Sequence, residues 1–315
     1  MSERRGFSVA LFSTAAMILS ACSGAGSPLA HELWATAPAN ARTDLPPQLL
    51  YVSDKKANVV NVFEAAAPYA PAGTITSGLV APAGVSLDGH KLLVANEDDV
   101  VEYESGATSP SFTYSDGLKY PIDVLSDDGQ IYVADITKKA IVVFPRGKNK
   151  AKETISLPSS PYAIAIGGGG NIYVAAVGTS GSAVFEIPRG SSTPQNLNLK
   201  FGSQNASVIE GIAVDEAGNI VVADNLPGVS RAQIEIFAAG SSNAAATYKV
   251  SYIMRNIALD RPQNHLFVAA AHPITSGGPT ALYAFHYSSE KLTLKDDGTV
   301  ASACSKQCWG VVTGP

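Results

Sequence analysis

One apolar motif recurs along most of this chain. Each copy is a run of four or five mainly apolar residues that ends in a small or acidic residue, and successive copies end 39 to 48 residues apart. A repeat of this length, with several short strands in each unit, is typical of β-propellers. The six copies are Leu50–Asp54, Leu93–Asn96, Ile131–Asp135, Ile172–Ala176, Ile220–Asp224 and Leu266–Ala270.

Two further apolar columns flank this motif. A downstream run such as Ile141–Phe144 has the continuous apolar character of a strand buried on both faces. An upstream run is separated from the motif by a turn containing Gly, Asp or Asn, residues that accept the positive φ of tight hairpins. The upstream copies are Pro82–Asp88, Pro121–Asp127, Pro161–Gly167, Ile209–Asp215 and Met254–Asp260.

The upstream column has one member too few, because nothing suitable precedes Leu50. The missing run stands at the other end of the chain, at Cys308–Gly314. We therefore predict an all-β fold: a six-bladed β-propeller over residues 49–315, closed by a C-terminal strand that completes the N-terminal blade. Such closure removes the open sheet edge that a linear array of blades would leave.

The first residues indicate export. Arg4 and Arg5 precede the apolar stretch Gly6–Leu19, which is shorter than the about 20 residues that a membrane-spanning helix needs. Leu19–Cys22 (LSAC) resembles the bacterial lipobox, so residues 1–21 are interpreted as a lipoprotein signal peptide. The resemblance implies a lipid on the thiol of Cys22; the alternative is an ordinary signal peptide followed by an incidental cysteine.

Residues 22–48 are interpreted as a lipidated flexible tether, since they are rich in Gly, Ser, Ala and Pro and show no sustained period. In Gram-negative lipoproteins, a residue other than Asp at the position of Ser23 favours the outer membrane. The predicted location is therefore the bacterial cell envelope, with the lipid bilayer as one partner through Cys22.

Charge and cysteine content restrict the other partners. The formal net charge is −5 and no basic cluster occurs, which argues against nucleic acid. Apart from Cys22, only Cys304 and Cys308 are present. In an oxidising compartment these two are expected to form a local disulfide, and a metal-binding pair is the weaker interpretation.

Residues Gly211–Asp224, followed by Ile234–Phe237, resemble an NHL-type repeat, and the other units resemble it more loosely. The resemblance implies a six-bladed propeller, with the acid at the end of the second strand capping a turn. Ala176 and Ala270 depart from that pattern. Because NHL-like and related propellers include binding platforms, lactonases and lyases, the fold does not fix the function.

The candidate site follows from the predicted position of the upstream strands beside the central channel. Their second residues share no chemistry and are Ala83, Ile122, Tyr162, Glu210, Arg255 and Trp309. The last four are predicted to bind a ligand at the channel mouth, with Asp123 one residue further along its strand. Long loops are expected to bring Asn225, Arg231 and His272 to the same face. The alternative is that Glu210 and Arg255 form a solvated salt bridge and that the loops are surface variation.

Signals for catalysis are weak, since no nucleophile elbow or zinc-binding helix motif occurs. The leading interpretation is a non-catalytic lipoprotein without a cofactor that binds a small molecule, a glycan or a protein. The alternative is a Ca²⁺- or Zn²⁺-dependent hydrolase, lactonase-like, or a lyase; a purely structural envelope component is a third. Oxygen ligands for such a cation would come from Glu210, Asp224, Asn96, Asp135 and Asp54, although Asp and Asn at strand ends usually cap turns.

Overall fold

Short antiparallel strands joined by turns make up the described part of the chain. The computed structural model describes residues 48–314, except residues 180, 203–206, 227–230, 261, 274–279 and 301–302. The predicted signal peptide, Cys22 and the predicted tether up to residue 47 lie outside the described residues. Nowhere in the described part is there a helix that could span a membrane.

The strands, in chain order, are β1 (Leu49–Asp54), β2 (Val59–Glu64), β3 (Pro71–Ile75), β4 (Val85–Asp88), β5 (Lys91–Ala95), β6 (Val100–Tyr103), β7 (Phe112–Tyr114), β8 (Pro121–Asp127), β9 (Gln130–Asp135), β10 (Ala140–Pro145), β11 (Glu153–Ser156), β12 (Ser160–Ile166), β13 (Ile172–Gly178), β14 (Gly181–Ile187), β15 (Gln195–Asn196), β16 (Val208–Val214), β17 (Ile220–Leu226), β18 (Arg231–Phe237), β19 (Ala244–Val250), β20 (Tyr252–Leu259), β21 (His265–Pro273), β22 (Ala281–Ser288), β23 (Thr293–Val300) and β24 (Cys308–Gly314).

These strands form six four-stranded sheets, which are the blades of a propeller. Blade 1 has the strand order β24-β1-β2-β3, and blades 2 to 6 are β4–β7, β8–β11, β12–β15, β16–β19 and β20–β23. The first strand of each blade contacts the first strands of the neighbouring blades, so that these inner strands surround a central channel. The predicted fold class, a six-bladed β-propeller, is confirmed.

Ring closure depends on one pairing between the two ends of the propeller. β24 pairs antiparallel with β1, with Leu50 opposite Thr313 and Val52 opposite Val311. The hydroxyl of Ser53 accepts a hydrogen bond from the Gly310 N–H at 2.7 Å and donates one to the Ala83 carbonyl at 2.5 Å. The C-terminal strand is therefore joined to blade 1 and tied to blade 2, as the sequence predicts.

The apolar core is divided among the interfaces between blades. Among the described residues, six clusters of buried apolar side chains occur, one at each pair of neighbouring blades. In β9, Ile131 and Val133 pack toward blade 2, whereas Tyr132 and Ala134 pack toward blade 4. Because both faces of such a strand are buried, its sequence is apolar throughout rather than alternating.

Strand-end acids connect the second strand of a blade to the segment that precedes its inner strand. In blade 1, the Asp54 carboxylate accepts hydrogen bonds from the backbone N–H groups of Ser305, Lys306 and Gln307 at 2.7–2.8 Å. Burial alone would raise the pKa of Asp54, but these hydrogen bonds outweigh it and the pKa lies below its ordinary value. A disulfide between Cys304 and Cys308 spans the same turn.

Equivalent contacts occur in three other blades. The Asp135 carboxylate accepts from the N–H groups of Lys119 and Tyr120, and the Asn96 side chain accepts from the Val80 N–H. The Asp224 carboxylate accepts from the hydroxyl of Ser207. These residues therefore act as clamps that hold the start of the inner strand in place in four of the six blades.

Shortening the β24 strand tests the closure. Deletion of residues 309–315 is expected to lower the melting temperature markedly, because it unpairs β1 and opens a sheet edge. The milder variant Val311→Ala, at a position that is 3% exposed, should cost about 2 kcal/mol of unfolding free energy. Val80→Ala is the matched control, since Val80 is 49% exposed. Unchanged melting of both β24 variants would contradict the closure.

A buried carboxyl in blade 5 predicts a pH effect. Glu235 is 1% exposed, it accepts hydrogen bonds from Gly202 and Gln233, and its second oxygen is buried without a partner among the described residues. Burial, with the Asp224 charge adding to it, raises the pKa of Glu235 to about 7. Folding therefore favours the protonated form, and the free energy of unfolding falls as the pH rises from the ordinary carboxyl pKa to about 7.

Glu235→Gln should remove this pH-dependent loss of stability. At about pH 8 the variant is expected to be more stable than the wild type by up to about 3 kcal/mol, and the difference should shrink toward about pH 5. Urea denaturation at both pH values measures it, with Glu216→Gln in an exposed turn as the control. A difference that does not depend on pH would show that Glu235 is not the titrating group.

Candidate functional site

The channel mouth is formed where the inner strands begin and the second strands end. In blades 3 to 6 the register of the inner strand shifts at the second residue of the upstream run defined in the sequence, and this residue lies in a β-bulge. A bulged residue is left out of the regular pairing, which frees its side chain to point elsewhere. The bulged residues are Ile122, Tyr162, Glu210 and Arg255, and the pairing of β24 with β1 has a similar irregularity beside Trp309.

Glu210 and Arg255 form an ion pair between blades 5 and 6. Arg255 Nη1 lies 2.7 Å from Glu210 Oε1 and 2.6 Å from Oε2. The Glu210 side chain is 10% exposed and that of Arg255 is 21% exposed. The salt bridge of the sequence-based alternative is therefore present, but it is partly buried rather than fully solvated.

Asn225 fixes the ion pair to the backbone. Its amide donates to Glu210 Oε2 at 3.2 Å and to the Met254 carbonyl at 2.8 Å, and its oxygen accepts from the Met254 N–H at 2.9 Å. Burial raises the pKa of Glu210, while the positive charges of Arg255 and Lys55 oppose the shift. Asn225 is thus buried support for the pair.

Trp309 brings a second cation into the site. The Lys55 ammonium lies 3.9 Å from the centroid of the indole ring, and the Arg255 guanidinium carbon lies 4.7 Å from it. Both distances fall within the range of cation–π attraction. The ammonium also donates a hydrogen bond to the Tyr120 hydroxyl at 3.1 Å.

Tyr162 completes this group. Burial raises the pKa of its phenol, the Glu210 charge adds to the shift and the Arg255 charge opposes it, so Tyr162 lies within electrostatic range of the ion pair. We define the mouth cluster as Lys55, Tyr120, Tyr162, Glu210, Arg255 and Trp309. The structure therefore brings together Tyr162, Glu210, Arg255 and Trp309, the four predicted mouth residues.

Two of these residues also contribute to the structure. Trp309 packs against the apolar cluster between blades 3 and 4, and Arg255 neutralises a nearly buried carboxylate. Removing Arg255 alone would leave Glu210 as an unpaired buried charge, which is strongly destabilising. Single alanine variants at these positions therefore affect stability as well as binding.

Asp123 lies apart from the mouth cluster, in a constriction of the channel. It is buried and accepts hydrogen bonds from the N–H groups of Ile164, at 2.9 Å, and Val124, at 3.0 Å, with the Asn256 side chain as a third donor. Burial raises the pKa of Asp123 to about 7 against these hydrogen bonds. Its carboxylate faces Gly84, where a Cβ would collide with it.

Small residues allow neighbouring inner strands to approach closely at the level of Asp123. Asp123 and Asn256 belong to opposite blades, and the third residues of the other upstream runs, with Cys308–Gly314 counted among them, are Gly84, Ala163, Gly211 and Gly310. A channel cavity of about 330 Å³ is lined by residues of all six inner strands, and Asp123 and Asn256 are among them. A larger groove of about 670 Å³ between blades 1 and 2 contains none of the predicted site residues.

The remaining residues predicted from the sequence are loop residues and candidate metal ligands. The side chains of His272 and Arg231 lie outside the described residues. Of the proposed oxygen ligands, Asp54, Asn96, Asp135 and Asp224 serve as clamps and Glu210 binds Arg255. Within the described ranges, no group of three or more His, Cys, Asp or Glu side chains is arranged to hold a metal ion.

Lys55 and Tyr120 are the mouth residues that the sequence analysis missed. Lys55 directly follows the clamp Asp54, at the position that Asn225 occupies after Asp224 in blade 5. Tyr120 directly precedes the inner strand β8. Comparison of these two repeat positions across the blades was the signal that could have identified them.

Comparisons with known proteins support the fold. The sequence matches no family model and no curated protein. Among solved structures, the chain is similar to hydrazine synthase from Kuenenia stuttgartiensis, with a TM-score of 0.55 and 13% identity over 68% of this chain and 65% of the other. The chain thus spans less than two thirds of that protein's length.

Two further structures have comparable similarity. A functionally unknown protein from Desulfotomaculum acetoxidans has a TM-score of 0.54 and 15% identity, with coverage of 80% of this chain and 79% of the other. The β-propeller domain of Myceliophteria thermophila Cps50 (Swd1) has a TM-score of 0.53 and 11% identity, covering 69% and 70%. At these identities the likeness concerns the fold alone, which is compatible with a binding module but does not specify one.

Proposed function

We propose that this chain is a lipid-anchored binding module of the bacterial cell envelope and that its channel mouth captures a ligand or a protein partner. The observation that carries the proposal is the mouth cluster, in which charged and aromatic side chains from blades 1, 3, 4, 5 and 6 converge. Arg, Tyr and Trp dominate many binding hot spots, because they combine large contact areas with directed polar groups.

The cluster has the properties of a prepared site rather than of surface variation. β-Bulges present its side chains, Asn225 fixes the ion pair, and Ser53 and Asp54 hold the segment that carries Trp309. A rigid site loses little conformational entropy when a ligand binds. The lipobox at Leu19–Cys22 and the NHL-type resemblance of residues 211–237 support an exported propeller attached to the membrane.

A paired substitution tests the mouth without leaving a buried charge. Glu210→Gln combined with Arg255→Gln keeps hydrogen-bonding side chains of similar size but removes both charges. Ligand carried by the full-length protein purified from its own membranes is extracted and identified by mass spectrometry. We expect the double variant to lose this ligand by more than about tenfold, as truncation of a charged hot spot does, while its melting temperature stays close to that of the wild type.

The control is a second Arg–carboxylate pair on the opposite face of the propeller. Arg189 and Asp128 pair at 2.9 Å and are both exposed, so Arg189→Gln with Asp128→Asn should retain the ligand. Equal ligand content in the two double variants would contradict the proposal. Metal analysis of the same wild-type preparation tests the alternative: stoichiometric Ca²⁺ or Zn²⁺ would favour a metal-dependent hydrolase or lyase.

Membrane attachment has its own test. Cys22→Ser is expected to prevent lipidation and cleavage before residue 22, so the protein should keep its signal segment and carry no lipid. Metabolic labelling with a fatty acid, followed by mass determination, measures both properties. A Cys22→Ser protein of mature size that still carries the label would contradict the lipoprotein interpretation.

A further inference from the structure

The charges of the mouth cluster do not cancel. Lys55 and Arg255 contribute two positive charges, and Glu210 contributes one negative charge. With all three ionised, the cluster has a charge of one positive unit, on a chain whose net charge is −5. Because the site is half-buried, this excess charge is less well solvated than it would be on an open surface.

Arg255 cannot offer the excess positive charge to a ligand, because its guanidinium is already paired with Glu210. Its Nη1 contacts both oxygens of Glu210, and its Nε is buried with no hydrogen-bond partner among the described residues. Glu210 in turn is bound by Arg255 and Asn225. The pair is therefore a fixed, nearly neutral unit, and Arg255 can offer a ligand only its remaining amino group.

Lys55 has the available charge. An ammonium has three donors, and among the described residues the Lys55 ammonium donates to the hydroxyl of Tyr120. Its other close neighbour is the indole face of Trp309. In the part of the chain that the structure describes, no carboxylate lies within salt-bridge distance of Lys55.

We infer that the mouth cluster binds its ligand through a monoanionic carboxylate, which accepts hydrogen bonds from the Lys55 ammonium and from the free amino group of Arg255. This inference rests on the proposed function and assigns it a ligand class. One negative charge neutralises the cluster, whereas the second charge of a phosphate would be left uncompensated in a half-buried site. Lys55 and Arg255 also lie over the Trp309 ring, which leaves less of its face for stacking of a sugar.

Trp309 provides the signal for a direct test. The chain contains two tryptophans, so the full-length chain with Trp34→Phe reports on Trp309 alone. Acetate and inorganic phosphate serve as probes, titrated at constant ionic strength with chloride as the balancing anion. Acetate is expected to shift the emission saturably, and phosphate to bind more weakly.

Neighbouring lysines give a matched pair of variants. Lys55→Gln should weaken acetate binding by about tenfold or more, since a charge-assisted hydrogen bond is lost. Lys56→Gln, at the adjacent exposed lysine, should bind acetate like the parent chain. The inference is overturned if the parent chain shows no saturable response to acetate, if phosphate binds more tightly, or if Lys55→Gln binds acetate as well as the parent.

The outcome can be separated from that of the proposed function. One possible result is that the Glu210→Gln/Arg255→Gln double variant loses the extracted ligand, while Lys55→Gln binds acetate as tightly as the parent chain. In that case the mouth is a binding site, but the carboxylate assignment is wrong. If the double variant keeps the ligand, the proposed function fails whatever the acetate titration shows.

Discussion

The pairing of β24 with β1 joins the two ends of the chain's propeller, and the other blades depend on it for their arrangement. A ring of blades is stable only if every inner strand has neighbours on both sides, and β24 supplies the last neighbour for β4 and β20. The Asp54 clamp, the Ser53 hydroxyl and the Cys304–Cys308 disulfide fix the segment where closure takes place, and within the described residues no covalent bond joins the two ends of the ring.

Closure also builds the mouth cluster, because Trp309 lies on the closing strand and Lys55 directly follows the clamp. The N–H of Lys55 donates to the Gln307 carbonyl at 2.9 Å, next to Cys308. The residues that hold the ring together are therefore adjacent in sequence to those that concentrate positive charge at the mouth. Blade 1 therefore contributes both to ring closure and to the proposed binding site, whereas the two side chains of the Glu210–Arg255 pair come from blades 5 and 6.

The sequence predicted the inner, second and third strands of the blades because these are apolar and recur at fixed positions. It did not place the outermost strands, such as β15 (Gln195–Asn196) and β19, since an exposed edge strand needs no apolar pattern. Within the site, the position of Glu210 and Arg255 beside the channel could be read from the repeat. The burial of Asp123 could not, because it depends on the space that Gly84 leaves in the neighbouring blade.

The β-bulges in the inner strands explain how this propeller can hold a polar site beside its channel. A charged side chain on a regularly paired inner strand would enter the apolar interface between blades or crowd the constriction, where Gly84 and Gly310 have no room for a Cβ. The bulge removes Glu210 and Arg255 from the regular strand pairing. Their side chains therefore contact each other instead of entering the apolar core. The residue at this position can therefore differ in chemistry from blade to blade, and the six repeats present Ala83, Ile122, Tyr162, Glu210, Arg255 and Trp309 there.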